Sequence, residues 1–155
     1  MELQQKTKTD INGLIPPYGG ELKNLIIKDK KLKNDLISKA TYEFECSERN
    51  ACDVELLMVG AFSPLEGFMD ENNYNSVIKN NRNTNGLLFG LPIIFDSNNE
   101  KVKAGETIFL TYKKQKIAVL EFSSKWEPDK SLEAELCYGT NSFCLLYTSD
   151  AADDQ

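Results

Sequence analysis

Apolar positions recur along this chain in short, dissimilar patterns, and each pattern predicts its own element. After Asp29, the residues Leu32, Leu36 and Ala40 fall at i, i+4 and i+8 with lysines between them, which places them on one face of an amphipathic helix. Just before it, Leu25-Ile26-Ile27 is a brief apolar run of the kind a strand supplies. Tyr42-Glu43-Phe44-Glu45 alternates with a period of two and predicts a second strand. Ser47 then supplies an N-cap for a helix carrying Ala51, Val54, Leu57 and Met58 on one face. Asp70 is placed to cap a further helix with Tyr74, Val77 and Ile78 inward.

The second half of the chain reads mostly as strand. Asn80 to Gly86 is an asparagine-rich loop, and Leu91 to Phe95 is apolar but contains Pro92, which confines it to a sheet edge. Val102 to Glu106 forms a turn into Thr107–Tyr112, and Ile117–Phe122 returns after a polar tip from Lys113 to Gln115 or Lys116. Asp129 to Cys137 predicts a final helix, opened by Pro128, with Leu132 and Leu136 packed inward. Short strands with interspersed helices define an α+β domain.

Charge and composition narrow the function classes. A chain of 155 residues is a one-domain length. A net charge of −6 argues against general nucleic-acid binding, since phosphate affinity comes from clustered Lys and Arg. Lys23, Lys28, Lys30, Lys31, Lys33 and Lys39 do make the early chain basic, and they read as a solvated helix face in preference to a phosphate site. No apolar run reaches a membrane-spanning length, and the N-terminus lacks the apolar centre of a secretory signal, so the expected location is cytoplasmic with no membrane partner. Cys46, Cys52, Cys137 and Cys144 show no Cys-x-x-Cys spacing, and the chain has no histidine to complete a zinc site. Free thiols and no metal are expected.

Three blocks carry the specific information. The first is Leu14-Ile15-Pro16-Pro17-Tyr18-Gly19-Gly20-Glu21-Leu22. The second is Gly60-Ala61-Phe62-Ser63-Pro64-Leu65-Glu66-Gly67-Phe68-Met69, in which Ser63 and Pro64 have the order of an N-cap and first helical residue, with Gly67 ending the turn and Phe68 and Met69 inward. The third runs from Trp126-Glu127-Pro128-Asp129-Lys130 to Tyr138-Gly139-Thr140. In order and spacing, from about Asn12 to Asn141, these blocks resemble the N-terminal domain of ATP sulfurylase (sulfate adenylyltransferase).

The resemblance implies a PUA-like fold, a small, partly open β-barrel with surrounding helices. It also implies a parent enzyme that converts Mg-ATP and sulfate to adenosine 5′-phosphosulfate and pyrophosphate in sulfate assimilation. Such a nucleotidyltransferase works by positioning and by neutralising phosphate and sulfate charge. Family members do this in a following α/β domain with a Gln-x-Arg-Asn-Pro loop and a His-x-x-His motif. Neither motif occurs here: the arginines are Arg49 and Arg82, each followed by Asn and then by Ala51 or Thr84. A kinase P-loop is missing as well.

Catalytic, ATP- or sulfate-binding and metal residues are therefore expected to be none, with no cofactor in this domain and no activity from the chain alone. The family-motif residues Pro17, Gly19, Gly20, Glu21, Phe62, Ser63, Pro64, Leu65, Glu66, Gly67, Phe68, Trp126, Pro128, Tyr138 and Gly139 are expected to be structural. Glu66 reads as an acceptor for backbone or lysine groups, Gly19-Gly20 as a packing turn, Trp126 as a core or interface anchor, and Asp129 as a helix cap. Tyr18 stands where the family usually has His, which weakens any proton-transfer role there.

The expected partners are the catalytic domain of the same enzyme and further copies of the full-length protein. An independent RNA-binding module is the alternative, with Lys113, Lys114 and Lys116 beside Tyr112 as its candidates. In outline, residues 1–11 are expected to be a flexible N-terminus and 12–141 the family domain. Residues 142–155, ending Asp150-Ala151-Ala152-Asp153-Asp154-Gln155, form a tail foreign to the family that looks like vector or adaptor sequence.

Overall fold

The computed structural model describes residues 13–96 and 103–142, so the expectations for 1–11, Val102, Cys144 and the 143–155 part of the tail lie outside the described residues. The chain divides into two compact units, one of residues up to Phe68 plus Glu106–Glu121 and one of Met69–Gly105 plus the chain from Phe122.

The first unit contains α1 (Lys30–Lys39), β1 (Ala40–Glu45), α2 (Glu48–Val59), β2 (Thr107–Tyr112) and β3 (Gln115–Glu121). Its sheet has the order β1-β2-β3, with β1 parallel to β2 and β2 antiparallel to β3. Among the described residues this three-stranded sheet is not closed into a barrel; the α+β character stands. β2 is flanked on both edges, so Ile108, Phe109, Leu110 and Thr111 are all buried, a continuous run and not an alternation. Ala51, Val54 and Leu57 of α2 and Cys46 are buried in the same unit, as are the polar residues Asn50 and Ser63.

Local chemistry explains where these helices begin and end. Asp29 caps α1 by accepting from the N–H groups of Lys31 and Leu32, and the Ser47 hydroxyl accepts from the Asn50 N–H at the start of α2. α1 nevertheless buries none of its residues. The expected strand at Leu25-Ile26-Ile27 is absent. The Leu25 N–H donates instead to the Met58 carbonyl at the end of α2, and the Asn24 side chain takes the Ile26 N–H, so no ladder can form.

The β2–β3 connection is a two-residue turn in which Lys113 and Lys114 both have positive φ, 49° and 62°. This turn matches the twist of a hairpin but disfavours side chains other than Gly, Asn and Asp. A carboxylate compensates. Glu45 accepts from the Thr111 hydroxyl at 2.6 Å and from the Lys114 N–H at 3.3 Å.

The second unit contains α3 (Glu71–Asn80) and α4 (Lys130–Tyr138). Asp70 caps α3 through the Asn73 N–H, and Tyr74, Val77 and Ile78 are buried as the period predicts. The asparagine-rich loop is ordered by its own side chains: buried Asn83 accepts from the N–H groups of Asn85 and Leu87, and Arg82 donates to the Gly86 carbonyl. Leu91–Phe95 forms no strand; the Ile93 carbonyl accepts from the Met69 N–H, and Pro92 has no N–H to extend a ladder. α4 begins at Asp129, whose carboxylate accepts from the Leu132 N–H, and it buries Ala134. Leu136, expected inward, is exposed; the inward stripe of this short helix runs through Ala134, with Leu132 half-buried.

Candidate functional site

The first two motif blocks meet in the first unit at the end of α2. Pro17 leads into a tight 3₁₀ turn, Tyr18–Gly20, closed by the Gly20 N–H on the Pro17 carbonyl at 2.9 Å, with Gly19 and Gly20 at φ 75° and 93°. The chain then passes through Glu21 to Lys23. The Lys23 Nζ stands 2.8 Å from a Glu21 carboxylate oxygen and 2.8 Å from one of Glu66. Its backbone N–H donates to the Ser63 hydroxyl at 2.9 Å, and that hydroxyl donates to the Gly60 carbonyl at 2.5 Å. Ser63 is therefore a clasp between the blocks. It caps no helix: the chain there is a turn, with a cis Ser63-Pro64 peptide bond.

Gly60 fixes the spacing of the junction. It ends α2 in the left-handed conformation, φ 82°, with its N–H on the carbonyls of Leu56 and Leu57. A Cβ on Gly60 would lie 2.9 Å from both the Lys23 carbonyl oxygen and Leu22 Cδ1. Only glycine lets the two blocks approach this closely.

Electrostatics at the junction hold its groups charged. Hydrogen bonds to Glu21 and then Glu66 raise the Lys23 ammonium well above its ordinary value. Lys23 in turn holds the Glu66 carboxyl below its ordinary value. A lysine and a carboxylate displaced in these directions both stay ionised near neutral pH, so they bind one another and do not exchange protons. Sequence reasoning presents Lys23 only as one member of a basic run. Its available signal was a lysine two residues beyond the Glu21 of one block, facing the single carboxylate of another.

The remaining motif residues of these blocks line the same turn. The Leu65 N–H donates to the Phe62 carbonyl, Phe62, Pro64, Leu65, Gly67 and Phe68 are half-buried, and Glu66 is exposed apart from its ion pair.

The third block belongs to the second unit. The Trp126 ring lies 4.6 Å from the Tyr74 ring, tilted by 49°. The Tyr74 hydroxyl donates to Glu133 at 2.8 Å, and Lys130 approaches the same carboxylate at 3.4 Å. Burial first, then Glu133, pushes the Tyr74 hydroxyl far above its ordinary range, so it remains a donor. Pro128 is half-buried at the entry to α4, Tyr138 ends the helix exposed, and Gly139 closes it at φ 72° with its N–H on the Glu135 carbonyl. Among the described residues no group of three or more His, Cys, Asp or Glu converges as a metal ion requires. Cys46, Cys52 and Cys137 are free thiols.

The pattern of the PUA-like domain family matches residues 15–143. This chain belongs to the PUA-like domain family. The PUA-like chain is 41% identical over 133 residues to the sulfate adenylyltransferase of Neurospora crassa, covering 80% of this chain and 23% of that protein. It is 40% identical over 132 residues to the sulfate adenylyltransferase of Chaetomium globosum, with 79% and 23% covered. A solved structure titled a hexameric APS kinase from Thiobacillus denitrificans aligns with a TM-score of 0.64 and 31% identity, over 76% of this chain and 24% of that one. The chain thus spans about a quarter of the length of the relatives it matches. Among the described residues no helix is long and apolar enough to cross a membrane.

Proposed function

We propose that this PUA-like domain is the N-terminal part of a sulfate adenylyltransferase and that its own role is structural. In this reading, residues 12–141 form the family domain, and it packs on the catalytic domain that joins ATP to sulfate to give adenosine 5′-phosphosulfate and pyrophosphate. The full-length protein is a cytoplasmic homo-oligomer of sulfate assimilation. The observation that carries the structural role is the junction: Lys23 bonds Glu21, Glu66 and Ser63, and Ser63 bonds the Gly60 carbonyl, so these polar groups join the two blocks, the use expected of a scaffold. Identity of about 40% to sulfate adenylyltransferases supports the parent activity.

The test is sulfate-dependent ATP–pyrophosphate exchange with the chain alone and with the Neurospora crassa enzyme trimmed of its matching segment. The expected result is no exchange alone and recovery on mixing. Exchange by the chain alone would overturn the reading. The RNA-binding alternative draws no support from the hairpin tip. Lys116 is paired with Glu43 at 2.7 Å and lies over the Phe109 ring, and Lys113 lies over the Tyr112 ring, so the cations and rings of the tip already engage one another.

A further inference from the structure

The asparagine-rich loop of the second unit carries a reactive dipeptide. Asparagine precedes glycine at Asn12-Gly13 and at Asn85-Gly86, and the second pair lies wholly within the described residues. The nitrogen of the residue after an asparagine is placed to close a small ring on the side-chain amide carbon, and glycine has no Cβ to obstruct that approach. Asn85 is exposed, and its bond to Asn83 is made by its backbone N–H, so its side-chain amide stands in solvent. A Cβ added at Gly86 would meet nothing within 4 Å, so the space around the nitrogen is open.

The same loop restrains the attack. The Gly86 N–H donates to the Asn83 carbonyl at 2.9 Å, closing a turn with Thr84 and Asn85 at its corners. Arg82 donates to the Gly86 carbonyl at 2.8 Å, so Gly86 is held at its N–H and its C=O alike. Asn73 of α3 tethers the first corner: its Oδ1 accepts from the Thr84 N–H at 3.1 Å and from the Thr84 hydroxyl at 2.9 Å. A nitrogen whose proton is engaged in this way neither loses it readily nor swings toward the Asn85 Cγ. Reaction therefore requires local opening of the turn.

We propose that Asn85 is a site of spontaneous deamidation whose rate is set by opening of the Asn83–Gly86 turn. In the opened loop the Gly86 nitrogen gives its proton to solvent and attacks the Asn85 Cγ. The N–Cγ bond forms, the Cγ–Nδ2 bond breaks, and Nδ2 takes up a proton and leaves as ammonia. Water then opens the cyclic imide: cleavage at Cγ gives aspartate, and cleavage at the main-chain carbonyl gives isoaspartate. A water is consumed and an ammonia released, with no oxidant or reductant. Either product adds a carboxylate to the loop. Isoaspartate also lengthens the main chain between Asn83 and Leu87 and so disrupts the bonds that join them.

Tryptic peptide mapping by mass spectrometry, on the full chain aged near neutral pH, tests the site. Asn12 and Asn85 fall in different tryptic peptides, and both stretches read Asn-Gly-Leu, so Asn12 is a control of matched local chemistry. In guanidinium chloride the two should convert at similar rates. In the folded chain Asn85 should convert more slowly than in denaturant and yield isoaspartate as well as aspartate. Asn73→Ala removes both bonds to Thr84 and should speed conversion at Asn85 about fivefold or more, the factor set by roughly one hydrogen bond's net worth. Conversion at Asn12 should not change. Thr84→Ala, which removes only the hydroxyl bond, should give a smaller acceleration. Circular dichroism checks that both variants keep their helix content.

Aspartate without isoaspartate would overturn Gly86 as the attacking group. A folded rate at Asn85 equal to the rate in denaturant, or an Asn73→Ala rate equal to that of the unmodified chain, would overturn the gate. Asn85 left intact in the folded chain and in Asn73→Ala alike, while Asn12 converts in both, would overturn the site itself.

Discussion

Replacing Gly60 by alanine should cost much more than replacing a glycine of similar φ in open space. Two effects add at Gly60. An L residue held at φ 82° costs about 1–2 kcal/mol. The new methyl group would then sit 2.9 Å from the Lys23 carbonyl oxygen, and that backbone cannot swing aside as a side-chain tip can. Forcing such contacts typically costs about 1–3 kcal/mol. Gly60→Ala should therefore destabilise by about 2–5 kcal/mol. Gly20, in the same unit, has φ 93°, and a methyl group added there would meet nothing within 4 Å, so Gly20→Ala should cost only the backbone part, about 1–2 kcal/mol. Alanine lowers the entropy of the unfolded chain equally in both variants, so this effect cancels in the comparison. Urea unfolding followed by circular dichroism reads the difference from the midpoints, provided the slopes agree. Equal costs at the two positions would refute the claim that Gly60 is required by the approach of the two blocks.

Three further outcomes follow from the geometry. Lys113→Asn with Lys114→Gly places the preferred residues at both positive φ angles of the hairpin turn and should stabilise the protein by about 0.5–1 kcal/mol, read as a raised urea midpoint. The Thr111 hydroxyl first, then the turn N–H groups, hold the Glu45 carboxyl below its ordinary value of 4.5, so its stabilisation is complete above that pH and is lost as pH falls through the lower folded value. Glu45→Gln should flatten that acid-side slope in pH-dependent unfolding, and an unchanged slope would show that the clamp does not form. Tyr74→Phe removes the donor to Glu133 and should destabilise by about 1–2 kcal/mol, measured by thermal unfolding.

Helices with a side-chain cap and a clear apolar period were legible in the sequence. Ser47, Asp70 and Asp129 each cap the helix they announce, because capping is chemistry between near neighbours, and Asp29, which marks the start of the first helical pattern, caps it as well. The failures lie where a distant partner decides. Leu25-Ile26-Ile27 reads as a strand until the end of α2 takes the Leu25 N–H. Ser63-Pro64 has the local order of a helix start, yet its hydroxyl answers to Lys23, forty residues away in sequence. For the same reason the candidate site was half visible: the blocks identify themselves, but nothing in either names Lys23 as the place where they join. Leu136 shows a further limit, since a nine-residue helix has too few turns to fix which of its apolar residues faces inward.

The parallel pairing of β1 with β2 also sets a timetable for synthesis. The Thr111 hydroxyl that bonds the Phe44 carbonyl lies 67 residues further along the chain. At about 5–20 residues per second, a ribosome needs roughly 3–13 seconds to deliver it after Phe44 has been made. Throughout that interval β1, carrying Tyr42 and Phe44, is a nascent strand with no neighbour to complete its ladder. Its own carboxylates, Glu43 and Glu45, then discourage it from pairing with another unfinished chain. The same two carboxylates later settle onto Lys116 and the hairpin turn, so the groups that guard the strand in its infancy become its fastenings at maturity.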